Sequence, residues 1–149
     1  IIGVLSSVTI SSLASARLKA RDAKIIQQIN QMRTLLEFEK SDNNSYANLL
    51  PLNWVSTQAG CDGFFSGTYA AKAREICGAI VTNSASNFAG ATSFAYFGPN
   101  TGTYSVVSNY SIMAYLPGAQ VFYCVGSSGR NSKNTTTTAW TNPGCYNNP

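Results

Sequence analysis

Arg17, Lys19, Arg21 and Lys24 fall within eight positions, with Asp22 alone against them, directly after sixteen residues, Ile1 to Ala16, that carry no charge. Such a cluster can neutralise phosphates or carboxylates. Other chemistry is poorly furnished. The 149-residue chain has no histidine and six carboxylates, so the usual general acid–base and nucleophilic arrangements lack parts. Glu37 and Glu39 lie two apart on an expected helix, point in different directions and do not make a carboxylate pair. There is no glycine-rich phosphate loop. The expectation is a protein that is not an enzyme, with no catalytic residue, no metal and no cofactor.

The other reactive side chains are Cys61, Cys77, Cys124 and Cys145, an even set without C-x-x-C spacing. Zinc would need closely paired Cys or His ligands. Two disulfides are the better reading, and they imply an oxidising compartment, hence export. Of three connectivities, Cys61–Cys77 and Cys124–Cys145 are favoured, because each closes a local loop rich in Gly, Asn and Ser. Each such loop could stabilise the fold by roughly 3 kcal/mol.

These groups must be positioned by elements that the composition limits to one ordinary core, since 44% of residues are hydrophobic and 11% are charged. Residues 1–40 carry six Lys/Arg against three Asp/Glu, and residues 41–149 carry four against three, so the net charge of +4 belongs to the N-terminal segment. No Pro precedes Pro51, and Gly3 is the only Gly before Gly60. Leu18, Ile25, Ile29, Met32 and Leu36 recur on one helical stripe. One helix from Ile1 to about Lys40 would be on the order of 60 Å long, more than a small domain can cover. Residues 25–36 have a stripe for a domain to pack on. The upper half is apolar on most faces and needs lipid or other chains. Sixteen uncharged residues fall short of the roughly 20 that span a bilayer, and no basic n-region marks a cleavable signal peptide.

IIGVLSSVTISSLASARLKARDAK resembles the amino-terminal helix of type IV pilins and pseudopilins, in which an apolar stretch containing Ile-Ile-Gly-Val/Ile-Leu runs into small residues and then a basic, Ala-rich segment. LLEFEKSDNNSYANLL is similar to the family's helix exit. The resemblance covers residues 1 to about 50. FYCVGSSGR and the late Cys pair are similar to the disulfide-closed C-terminal region of many pilins. Two departures stand out. The mature start Phe-Thr-Leu-Ile-Glu is missing, so the chain is expected to begin about half-way through a roughly 20-residue stem, and that motif's glutamate has no counterpart. Where the family often has Pro, this chain has Ser6, Ser7, Thr9, Ser11 and Ser12, whose hydroxyls can bond back to the helix backbone.

The resemblance implies an α+β, type IV pilin-like fold, a long N-terminal α-helix packed on an antiparallel β-sheet with a disulfide-closed C-terminal loop. Residues 1–24 would be the protruding stem and 25–149 the headgroup, including the amphipathic half of the helix. Asp42-Asn43-Asn44-Ser45 should end the helix and Pro51 forbids its resumption. A short helix is expected at Tyr69–Cys77, then strands at Ser93–Phe97, Tyr104–Leu116 and Ala119–Val125, separated by turns at Gly98–Gly102 and Pro117-Gly118. Tyr104, Val106, Tyr110, Ile112 and Ala114 share one strand face. With Ile25, Ile29, Met32 and Leu36, the residues Val106, Tyr110 and Ile112 form the expected headgroup core.

By resemblance the chain is expected to be a structural subunit, a major pilin, of an extracellular filament. It would be anchored in the inner membrane before a prepilin peptidase, an assembly platform and a motor ATPase build it into a helical homopolymer. Ile1, Ile2, Val4, Leu5, Val8, Ile10 and Leu13 would pack the filament core. Arg17, Lys19, Arg21 and Lys24 would meet acidic groups of adjacent subunits, with Asp22, Glu37 and Glu39 as candidates. The polar segment after Val125, with Arg130, Lys133 and Trp140, is a candidate surface loop for DNA or a host or surface ligand. Its Thr135–Thr138 run and three N-x-Ser/Thr triplets are candidate sugar acceptors. The alternatives are a pseudopilin of a type II secretion system and a minor adhesive or DNA-binding pilin. For nucleic acid, only Arg130 and Lys133 are expected as exposed contacts, and two charges give weak, salt-sensitive affinity.

Overall fold

The computed structural model describes residues 2–50, 53–55, 57–84, 95–99, 110–129 and 131–134. Helix α1, Ile2–Asn43, runs unbroken for 42 residues, as a sequence without internal proline allows. It stops where Asn44 takes a left-handed conformation, φ 51°, a role asparagine fills at small cost after a helix. Lys40 Nζ donates to the Asn44 carbonyl at 2.8 Å and closes the last turn. A single 3-10 turn, Ala47–Leu49, then buries Leu49.

The rest of the chain alternates short elements: β1 (Asn53–Val55), α2 (Gln58–Phe64), α3 (Ala70–Ser84), β2 (Ala95–Pro99), β3 (Tyr110–Leu116), β4 (Val121–Gly126) and β5 (Asn131–Asn134). The strands form one five-stranded sheet in the order β1-β2-β3-β4-β5, every neighbouring pair antiparallel. The architecture is therefore α+β, a long N-terminal helix with an antiparallel sheet.

Several expected elements differ in extent. The short helix expected at Tyr69–Cys77 is α3, and it continues to Ser84, because Ile76, Ile80 and Val81 supply a buried face beyond Cys77. Helix α2 was not expected. Thr57 caps it, its Oγ1 accepting from Gly60 N at 3.1 Å, and the Cys61–Cys77 disulfide, Cα atoms 5.8 Å apart, ties it to α3. Strand β2 extends through Pro99, inside the expected turn. The edge strands β1 and β5 are three and four residues long, too short for a periodic signal. The expected contributions of Tyr104 and Val106 lie outside the described residues.

Ile25, Ile29, Met32 and Leu36 are each fully buried, as are Tyr110, Ile112 and Ala114 on β3. Helix α1 packs more extensively on α3 than on β3, so α3 shares the stripe that sequence alone assigned to the sheet. Burial of the four α1 side chains contributes about 6–12 kcal/mol gross, before conformational entropy. Leu18, expected on the same stripe, is 38% exposed. The opposite sheet face is also buried, at Ser111, Tyr115, Phe122 and Cys124. There the Tyr115 and Phe122 rings meet at 5.2 Å, and Cys124 is disulfide-bonded. Cys145 lies outside the described residues.

Candidate functional site

Helix α1 leaves the headgroup at a defined point. Residues 13–21 are all exposed, Leu13 at 52%. At Asp22 the carboxylate accepts from the backbone amides of Gly118 and Ala119, at 2.9 and 2.8 Å. These belong to the turn between β3 and β4, Pro117 to Gln120, whose last residue is itself left-handed, φ 56°. Gly118 lets the turn press on the helix. A Cβ there would lie 2.9 Å from the Leu18 carbonyl carbon and 3.0 Å from its oxygen, and backbone cannot swing aside. Asp22 therefore serves the turn within its own chain.

Arg17, Arg21 and Lys24, at i, i+4 and i+7, follow one line along α1. With Ala20 and with Asn83 from the last turn of α3 they line an open depression of about 260 Å³. Asn83 Nδ2 donates to the Ala79 carbonyl at 2.6 Å, which fixes this wall. Lys19 does not line the depression. None of the four bases makes an ion pair or hydrogen bond among the described residues, where the ion pair present is Lys72–Glu75, at 2.7 Å. Like charges one turn apart each cost a helix roughly 0.2–0.5 kcal/mol. The cluster is thus a standing electrostatic cost with no ion-pair partner among the described residues.

A second polar group sits at the other end of the headgroup, and sequence reasoning missed it. The Tyr110 and Tyr46 hydroxyls donate to the two oxygens of Glu37, at 2.8 and 3.3 Å, and the two rings meet edge to face at 4.9 Å. The Glu39 carboxyl is fully buried. Its Oε1 accepts from Asn43 and Asn48, at 2.8 and 2.6 Å, while Oε2 has no partner among the described residues. Of the remaining acids, Asp42 accepts from the Tyr69 hydroxyl at 2.5 Å, Asp62 from Gln58 at 3.1 Å, and Glu75 pairs with Lys72. All six carboxylates of the chain therefore have partners within it, including the three expected to meet a neighbour's bases.

Burial first, then the hydrogen bond to Glu37 and its charge, raises the Tyr110 phenol far above its ordinary 10.0. Burial and then the Glu37 charge raise Tyr46 as well. Above the ordinary value an unfolded chain releases these protons and the folded chain keeps them, so stability must fall as pH rises there and stay level below. The thermal midpoint, followed from about pH 8 to 11, is expected to hold to near 10 and then decline, with a shallower decline in Tyr110→Phe. An identical slope in the variant would remove Tyr110 from this role.

Among the described residues, no three His, Cys, Asp or Glu side chains come together to hold a metal, and no helix is long and apolar enough to cross a membrane. Ile2, Val4, Leu5, Val8 and Ile10 lie in helical backbone, while their side chains, together with Ile1, Arg130 and Trp140, lie outside the described residues. Lys133 is exposed on β5. No protein-family model, no curated protein and no solved structure matches the chain.

Proposed function

We propose that this chain is a structural subunit of an extracellular type IV pilus-like filament, held in the inner membrane before assembly and built into a helical homopolymer. The observation that carries the reading is the overhang of α1. Its described side chains from Leu13 to Arg21 are exposed, and among the described residues its side-chain clasp to the headgroup begins at Asp22. Residues 1–16 carry no charge, and from Ile2 onward they belong to the same unbroken helix. Helices of that kind exchange lipid for one another without passing through water. The resemblance of residues 1 to about 50 to type IV pilins supplies the rest, including an assembly platform, a motor ATPase and a prepilin peptidase as partners.

Immunogold electron microscopy of cells producing the precursor, with antibody against the headgroup, tests this. Label along the whole length of surface filaments is the expected result. Label confined to tips would make the chain a minor pilin, and label confined to the periplasm a pseudopilin of a secretion system.

A further inference from the structure

We infer that the depression lined by Arg17, Arg21, Lys24 and Asn83 is a binding site for a phosphate oxyanion. Three observations converge on it. The three cations line a single concavity and carry no counter-charge of their own among the described residues. Two of them are arginines, whose planar donors match phosphate oxygens in pairs. Asp22, the carboxylate nearest to them in sequence, is turned to the Gly118 and Ala119 amides instead.

Size narrows the ligand. At about 260 Å³ the depression falls below the roughly 300–1,000 Å³ of sites for drug-sized molecules, which suits a phosphate ester headgroup. The wall supplied by Asn83 gives the site a shape beyond its charge. That amide is held by its bond to Ala79, so a fixed polar wall stands beside the α1 bases. The site itself stands on this geometry. A phospholipid as the source of the phosphate rests on the filament-subunit reading, in which the uncharged segment before Arg17 lies in a bilayer and sets the depression at headgroup level.

The test uses the full chain in a neutral detergent, titrated with glycerol phosphate, and in parallel its flotation with phosphatidylglycerol or phosphatidylcholine vesicles. The wild type is expected to bind the soluble ester, and Arg21→Gln to weaken binding by about tenfold, the scale of one charge-assisted hydrogen bond. Ala20→Asp, at an exposed position lining the depression and checked for an unchanged thermal midpoint, places a carboxylate there and should weaken binding at least as much. Lys19→Gln removes the same charge away from the depression and should stay within about twofold. Preference for phosphatidylglycerol that disappears in Arg21→Gln assigns the phosphate to a lipid. Soluble binding with no vesicle preference keeps the site and assigns it to a free phosphate ester. No binding by the wild type, or equal losses in Lys19→Gln and Arg21→Gln, overturns the proposal. Absence of labelled filaments in cells would overturn the filament reading and leave the glycerol phosphate titration unaffected.

Discussion

Leu13→Asp is expected to leave the thermal midpoint of the folded headgroup unchanged while eliminating sedimentable filaments. The two halves of that result come from different physics. Leu13 is 52% exposed, so its replacement falls among surface changes that alter stability by no more than about 0.5 kcal/mol. In a bundle of stems the same position would be dry. An uncompensated carboxylate there costs several kcal/mol, and a helical polymer repeats that cost in every subunit. Electron microscopy and sedimentation read the loss, and a thermal melt reads the retained fold. Normal filaments from Leu13→Asp would mean that the stem does not pack in the filament core, and the proposed mode of assembly would have to be abandoned.

Ile29→Ala should do the reverse at the other end of the helix. Ile29 is fully buried in the core shared by α1, α3 and the sheet, and truncation there leaves a cavity that rigid neighbours fill incompletely. A loss of about 3 kcal/mol is expected, read as a fall in midpoint of roughly 10 °C for a domain of this size. Phe38→Ala provides the contrast. Phe38 is on the same helix but 53% exposed, with the Tyr69 ring 6.2 Å away, and its loss should cost no more than about 1 kcal/mol. Equal effects from the two substitutions would show that the α1 stripe does not anchor the core.

What could be read in the sequence was whatever repeats over a long stretch. The α1 stripe from Ile25 to Leu36 shows its period directly, and Tyr110, Ile112 and Ala114 show theirs. Cys61 and Cys77 were legible because their loop is local. The edge strand Asn131–Asn134 was not, since a short edge strand is defined by the β4 backbone it pairs with and its polar side chains look like any loop. Helix α2 contains two glycines in seven residues and depends on its disulfide and cap more than on propensity. At the site, the basic run was plain, but its division was hidden. Asp22 looked like a counter-charge to its neighbours, whereas its partners are amides 96 and 97 positions away. Asn83 carried no signal, because only the packing of α3 on α1 brings it beside Arg17, Arg21 and Lys24.

The two amide bonds that Asp22 accepts also bear on mechanics. Tension drawn along the rod would otherwise enter the headgroup by peeling α1 away from its end, one turn at a time. The clasp at Gly118 and Ala119 sits at that very edge, so the load is met there by the β3–β4 hairpin and spread across the sheet before the buried stripe feels it. It works as strain relief works on a cable, stiffening the one place where a crack between rod and domain would start.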